Sequence, residues 1–369
     1  MKASTEGHLL HCLPVEVVAH TQALIAESPV WDVATGLLRW VDILRGEIHG
    51  TDPGTGADQV LKIGTAVGAV ALRRRGGLVA AAADGFCLVD EDDTAGPGSA
   101  MLHDASVDDR VWGAGDVGSV VAVRWLWRAG RSGATGAEAM ELGPAKGPEP
   151  ADEATTSAAL GGETGLAADR GPAGLALRMN DAKCDPAGRL WGGTMTVERR
   201  QGACALYRLD PDGTVTTALD GVTLSNGLGW SPDGRTMYYI DTPLRTVDAF
   251  DFDVDTAMLT QRRTVVQVED GAGNPDGLTV DADGCLWVAL AHGSAVRRYT
   301  PAGRLDAVVP MPVRKVTSCT FGGSGLDQLF VTTACAGLSE QDLVAEPLAG
   351  AVLCCDVGTP GLPADRFAG

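Results

Sequence analysis

Asp281-Ala-Asp-Gly284-Cys-Leu-Trp287 is a polar turn, a glycine and then the start of an apolar strand that runs on through Val288 and Leu290. An Asp-Gly turn between runs of strand-forming residues is a hairpin signal. The same shape recurs along the chain: Asp32-Val-Ala-Thr-Gly36-Leu-Leu-Arg-Trp40-Val-Asp42, Arg74-Arg-Gly-Gly77-Leu-Val-Ala and Asp185-Pro-Ala-Gly188-Arg-Leu-Trp191. Ser231-Pro-Asp-Gly234-Arg-Thr-Met-Tyr238 and Gly322-Gly-Ser-Gly325-Leu-Asp-Gln-Leu-Phe330 complete the set.

The turn glycines at 36, 77, 188, 234, 284 and 325 are separated by 41, 111, 46, 50 and 41 residues. Intervals of about 40 to 50 fit one four-stranded propeller blade each. The long interval predicts a blade plus an insertion. Between Ala129 and Gly174 there are ten Gly and no aromatic residue, too little apolar area to offset ordering entropy. That stretch is read as a disordered insertion in a loop of the second or third blade. The fold class expected is therefore all-β: a single six-bladed β-propeller over residues 1–369, interrupted at about 129–174. Val15–Ile25 and Gly350–Val357 both look strand-like, and they close the ring if they share one blade. No long segment of 3.6-residue period lies between the hairpins, which excludes an α/β fold.

Composition agrees. Of 369 residues, 49 are Gly and 19 Pro, which suits many short strands and turns. A net charge of −19 excludes nucleic-acid binding and adhesion to anionic membranes. No run of 18 apolar residues is present, and no charged-then-apolar leader opens the chain. Nine cysteines without a C-x-x-C spacing argue against a thiolate zinc site or a disulfide framework; Cys184, Cys285 and Cys319 read as small buried hydrophobes. A reducing, cytoplasmic location is expected.

Eight or nine residues upstream of the turn glycines stand Glu27, Gly68, Asn180, Asn226, Asp276 and Thr317. Sharing one phase of the repeat, they occupy equivalent places around one axis, where turn-favouring neighbours predict that each innermost strand begins. Four of the six carry a carboxylate or amide oxygen. Asn and Asp often do no more than cap turns, but turn capping gives no reason for this phasing. Converging oxygens of this kind suit one divalent metal ion: Ca²⁺, Mg²⁺ or Mn²⁺, with Zn²⁺ as a further candidate.

Glu27-Ser-Pro-Val-Trp31, Arg178-Met-Asn180-Asp181-Ala-Lys183, Gly193-Thr-Met195, Asn226-Gly227, Tyr239-Ile-Asp241, Asp276-Gly277, Leu286-Trp-Val-Ala289 and Phe321-Gly-Gly323 follow one another in this order. As a set they resemble the senescence-marker-protein/gluconolactonase family, from about Leu24 to the C-terminus. The resemblance implies a metal-dependent enzyme that hydrolyses sugar lactones, with a small-molecule lactone as its partner. It implies metal ligation by Glu27, Asn226 and Asp276, and substrate contacts by Arg178, Asn180 and Glu198. Asp276, as ligand and neighbour of a metal-bound water, is assigned the role of general base. Around Glu198 the flanking Val197 and Arg199 depart from the family pattern. Ala182 replaces a family Gly, which predicts an altered turn. A related hydrolase of esters or organophosphates, a non-catalytic calcium-binding or regulatory protein, and a structural interaction propeller are the alternatives.

Three other motifs carry no chemistry. Gly113-Ala-Gly115-Asp-Val-Gly118 precedes β-branched and aromatic residues where a dinucleotide fold needs a helix. Asp251-Phe-Asp253-Val-Asp255 lacks the EF-hand Gly and closing Glu, and its alternation predicts a half-buried strand with an acidic face. Arg73–Arg75 reads as an exposed hairpin turn. There is no H-E-x-x-H or G-x-S-x-G. From the composition of 129–174, limited proteolysis is expected to nick that stretch while the propeller fragments stay associated; deletion of it that unfolds the protein would contradict the disorder assigned to it.

Overall fold

The hairpin motifs that open on Asp32, Asp185, Ser231 and Asp281 close on their own side chains. In the Asp281 turn, Asp281 Oδ1 accepts from the backbone N–H of Asp283 and Cys285, at 3.0 and 2.8 Å, while its Oδ2 accepts from Trp287 Nε1 at 2.8 Å. Asp185 does the same for Arg189 N and Trp191 Nε1, at 3.0 and 2.9 Å. The carboxylate thus holds the turn and fixes the buried indole six residues on. Gly188 and Gly284 sit at φ 91° and 79°, a left-handed backbone that suits glycine. Gly325 is the exception among the six turn glycines, because the left-handed positions of its loop are Gly323 and Leu326.

The protein is described here from a computed structural model, which covers residues 14–90, 122–129 and 176–369 and the backbone of His8–Leu9. Its strands form six sheets, one per blade of a β-propeller. The innermost strands are Ala26–Asp32, Val67–Leu72, Leu177–Cys184, Ser225–Trp230, Asn274–Val280 and Val316–Gly322, belonging to the first to the sixth blade in chain order. Within each blade the neighbouring strands are antiparallel, except that His8–Leu9 adds to the edge of the fifth blade parallel to Leu305–Pro310. Ala122–Arg128 forms the outer edge of the second blade. The insertion expected at 129–174 lies, but for Ala129, outside the described residues, as do 91–121 and the Gly113–Gly118 motif. The ring closes as the sequence suggests: Glu16–Ala19 pairs antiparallel with Val352–Asp356, so the sixth blade joins both ends of the chain.

Six apolar clusters hold the blades together, one in each interface between neighbours. Every inner strand is therefore covered on both faces. Val67–Leu72 and Leu190–Thr196 are buried at every residue, which is why period-two alternation fades there. The alternation expected from Phe250 through Asp255 ends early. The strand stops at Phe252, and Asp253 Oδ1 accepts from Asp255 N and Thr256 N to form a turn, with Val254 exposed. Arg73 also differs from expectation: it is buried, and its Nη1 pairs with Asp90 at 2.7 Å. The described cysteines are reduced, and burial pushes the Cys87 and Cys319 thiols up to about 12. No helix among the described residues is long and apolar enough to cross a membrane.

The segment after Val357 runs beneath the turn glycines, at the end of the propeller opposite the start of the innermost strands. Pro360 O accepts from Ala282 N, Phe367 O from Arg74 N, and Gly188 O from Ala368 N, at 3.0, 2.8 and 2.9 Å. Arg366 adds an ion pair to Asp32. Phe367 is fully buried between the second and third blades. Phe367→Ala is expected to lower unfolding free energy by about 3 kcal/mol, as core aromatic truncations do. Urea titration checks this, and a midpoint equal to wild type would mean that the segment adds no stability.

Candidate functional site

In all six blades the pairing register between the innermost strand and its neighbour slips near the strand's start. The slips fall between Glu27 and Val30, Val67 and Ala69, Met179 and Ala182, Ser225 and Leu228, Pro275 and Leu278, and Val316 and Ser318. Each encloses or borders one of the six in-phase residues. A bulge bends the strand and re-aims side chains that a regular ladder would send into the blade interfaces. Here it supplies what the repeat phase could only suggest, a common turn of the side chains at one end of the axis.

Around that end the side chains bond from blade to blade. Asn180 Nδ2 donates to Ser225 O and to Asn226 Oδ1, at 2.7 and 2.8 Å. Asn226 Nδ2 donates to Thr242 Oγ1 at 2.8 Å, and Thr242 Oγ1 donates in turn to Pro275 O at 2.8 Å. Arg178 Nη1 donates to Asn180 Oδ1 at 2.8 Å and to Met179 O at 2.9 Å. Ser28 Oγ donates to Val70 O at 3.3 Å, and Thr317 Oγ1 to Ala26 O at 2.5 Å, linking sixth, first and second blades. Thus Arg178, Asn180 and Asn226 form one bonded chain leading toward the strand that carries Asp276.

The charges of the site are concentrated on alternate blades. Glu27, Asp181 and Asp276 come from the first, third and fifth, with Arg178 and Lys183 as the cations among them. Burial, reinforced by Asp276 and Asp181, holds the Glu27 carboxyl well above the usual range. Burial and Asp181 do the same to Asp276. Burial lowers Arg178 to about 10 and also lowers Lys183, whose Nζ reaches across to Leu278 O at 2.7 Å. Carboxylates that raise one another's proton affinity form a place short of positive charge. Among the described residues no three His, Cys, Asp or Glu side chains are grouped to hold a metal ion. The donors available to a cation are instead mixed, two carboxylates and the amide oxygen of Asn226, all hard oxygens of the kind that Ca²⁺ and Mg²⁺ take. The donor chemistry and the uncompensated charge fit such an ion.

Residues 25–116 and 153–335 match the profile of the SMP-30/Gluconolactonase/LRE-like region. The chain belongs to this family. Among its relatives is YvrE of Bacillus subtilis (strain 168), which carries the provisional designation sugar lactone lactonase; identity is 31% over 352 residues, covering 95% of this chain and 97% of that one. Regucalcin of Oryctolagus cuniculus is 32% identical over 366 residues, covering 97% and 99%. The solved structure of a luciferin-regenerating enzyme shares the fold, with a TM-score of 0.73 at 24% identity, covering 96% of this chain and 99% of that one.

Against the family pattern, Ala182 needs no left-handed backbone: it is absent from the residues of positive φ, and its N–H donates to Asp181 Oδ1 at 2.8 Å inside the bulge. Glu198 is exposed, on the connection that follows Leu190–Thr196, with none of the inner hydrogen bonds. Its neighbour Arg199 is the residue of that connection whose charge bears on Asp276 and Arg178. Asp181 and Lys183 were given no role by phase, since they stand one and three residues beyond Asn180. The signal was their place in and just after the bulge, which only strand register discloses.

Asp181 and Lys183 face each other as the largest charged influence on one another. Lys183→Met leaves the three buried acids with Arg178 as their remaining buried cation and is expected to cost about 3 kcal/mol at neutral pH. Lys183→Met combined with Asp181→Asn is expected to recover most of it, because both charges leave together. Urea unfolding of these two variants and of Asp181→Asn measures the coupling; a loss in the double variant equal to the sum of the two single losses would show that the pair does not interact.

Proposed function

We propose that this protein is a divalent-metal-dependent sugar lactonase of the SMP-30/gluconolactonase family, opening the ring ester by attack of an activated water. The observation that carries the reading is that Asp276 bears on the buried Glu27 carboxyl at the end of the axis where Arg178, Asn180 and Asn226 are bonded in a chain. Family membership and the designation of the Bacillus subtilis relative support the reaction class.

Glu27, Asn226 and Asp276 would hold the ion, which when bound supplies Lewis-acid polarisation of a carbonyl and lowers the pKa of water. Asn226 is kept from rotating by bonds to Thr242 and Asn180 at opposite ends of its amide, so its oxygen is fixed before any ligand arrives. Arg178 uses Nη1 to grip Asn180 Oδ1 and Met179 O, leaving the rest of its planar fork of donors for oxygens of the substrate. Asp276, the least buried of the three proposed ligands, accepts the proton of the attacking water. The water oxygen bonds to the carbonyl carbon, the bond from that carbon to the ring oxygen breaks, and the proton held by Asp276 passes to the ring oxygen. A hydroxy acid leaves. Glu198 serves as an outer acceptor for substrate hydroxyls from its exposed connection.

Proton release from a panel of lactones, measured after chelation and after re-addition of each divalent ion, tests the reaction and the metal together. Activity is expected to vanish on chelation and return with the ion, and Asp276→Asn is expected to reduce kcat by roughly 10²- to 10⁴-fold. Full activity in protein shown metal-free by elemental analysis would sink the metal dependence. Arg178→Ala is expected to lower kcat/KM for polyhydroxylated lactones by roughly 5- to 150-fold, the loss of one buried partner of about 1–3 kcal/mol, and to spare a lactone without hydroxyls. Equal losses on both would favour an ester or organophosphate substrate.

A further inference from the structure

The bonded chain of the site has a direction. Arg178 can only donate, and its Nη1 does so to Asn180 Oδ1 at 2.8 Å. Asn180 then turns its Nδ2 to the fourth blade and donates to Asn226 Oδ1 at 2.8 Å. Asn226 Nδ2 donates to Thr242 Oγ1, and Thr242 Oγ1 donates to Pro275 O, both at 2.8 Å. The last group is a backbone carbonyl, which can only accept. These four bonds therefore run one way, from a pure donor in the third blade to a pure acceptor in the fifth. Thr242 settles that sense for Asn226 by direct contact. A hydroxyl carries one proton and two lone pairs, so alone it could receive either end of an amide. With its proton on Pro275 O, Thr242 offers Asn226 only a lone pair. The amide must then turn Nδ2 to Thr242 and Oδ1 to Asn180. Arg178 imposes the same sense from the far end, but only through Asn180.

The seat of Thr242 is held on every side. It opens the 3₁₀ turn Thr242–Leu244, directly after the strand Thr236–Asp241 of the fourth blade. Its N–H donates to Leu224 O at 3.2 Å, and its carbonyl accepts from Arg245 N at 3.0 Å. Asp241, just before it, accepts from the N–H groups of Thr223 and Leu224 at 3.1 and 2.9 Å. Arg245 closes the turn at φ 55° and donates through Nη1 to Asn274 Oδ1 at 3.2 Å. The turn thus grips the fifth blade at Asn274 and Pro275, the two residues before Asp276. Beyond them the pairing with the neighbouring strand skips from Pro275 to Leu278, whose carbonyl accepts from Lys183 Nζ at 2.7 Å. Asp276 stands between two carbonyls that side chains of other blades hold.

We propose that Thr242 is a positioning residue. By giving its proton to Pro275 O it orients the Asn226 amide and ties that amide to the strand that carries Asp276. It acts through Asn226 and Pro275 rather than on a ligand itself. Its effect on a bound cation rests on the reading of Asn226 and Asp276 as metal ligands; the orientation of the amide does not.

Two variants of the full chain separate the hydroxyl from the methyl. Thr242→Val keeps the shape and removes the hydroxyl, whereas Thr242→Ser keeps the hydroxyl and removes the methyl; Thr242→Ala replaces Val should that variant not fold. The chain's three asparagines are Asn180, Asn226 and Asn274, so NMR of protein isotope-labelled at the asparagine side-chain amides follows Asn226 with no ion added. In Thr242→Val the Asn226 amide protons are expected to shift and to exchange with water roughly tenfold faster, and in Thr242→Ser to match wild type. Calorimetric titration of the metal-free chain with Ca²⁺ is expected to show binding roughly 10- to 100-fold weaker in Thr242→Val and near wild type in Thr242→Ser. Urea midpoints taken alongside separate lost affinity from a lost fold. Asn226 signals unmoved in Thr242→Val overturn the proposal, as does a Ca²⁺ affinity unchanged there or lost instead in Thr242→Ser. If wild type binds neither Ca²⁺, Mg²⁺ nor Mn²⁺ while the Asn226 signals move as expected, Thr242 keeps its role and the metal reading falls.

Discussion

Around the axis the innermost strands approach until backbone meets backbone. A Cβ on Gly68 would lie 2.3 Å from Asn180 O, one on Gly227 2.6 Å from Asp276 O, and one on Gly277 2.8 Å from Ser318 Cα. At such separations no side chain fits, so glycine is required at these three places by contact between blades. The bulges depend on this approach. They take up the residue that a regular ladder would place in the crowded interface and turn it toward the axis instead.

From that crowding follows the character of the site. The apolar clusters occupy the blade interfaces, so polar groups gather at the two ends of the propeller, and the end where the innermost strands begin holds the candidate site. Gathering them is costly. Asn180, Asn226 and Thr242 are satisfied by one another and by neighbouring backbone, whereas the carboxylates of Glu27 and Asp276 are held by burial and mutual repulsion in a condition that favours a proton or a cation. A site stressed in this way binds a positive ligand more strongly than a relaxed one would. The stability that allows it comes from elsewhere, from the six interfaces, the shared sixth blade and the buried Phe367 at the opposite end.

Arg178 and Lys183 are committed to inner partners, Asn180 and the Leu278 carbonyl, and cannot turn outward without leaving those groups unpaired. Donors held in this way meet a ligand in a fixed geometry. Arg199, by contrast, is exposed on the connection after Leu190–Thr196.

The repeat of turn glycines and the Asp-to-Trp spacing determined the propeller, the number of its blades and the closure by both ends of the chain. Those features are local: a turn, an indole six residues beyond an aspartate and a strand between them follow from neighbouring residues. Phase likewise marked Glu27, Asn180, Asn226 and Asp276, because equal spacing from equal turns places residues at equal angles on the ring. What phase could not carry was direction. Asp181 and Lys183 enter the site through the bulge after Met179, while Glu198 and Arg199 both stand exposed on the connection after Leu190–Thr196. The end of the strand at Phe252 and the burial of Arg73 were equally hidden, since one depends on an Asp253 turn and the other on Asp90, seventeen residues away. Sequence spacing fixes which residues share a level; only contact between blades, which sets register and bulge, decides which of them face one another.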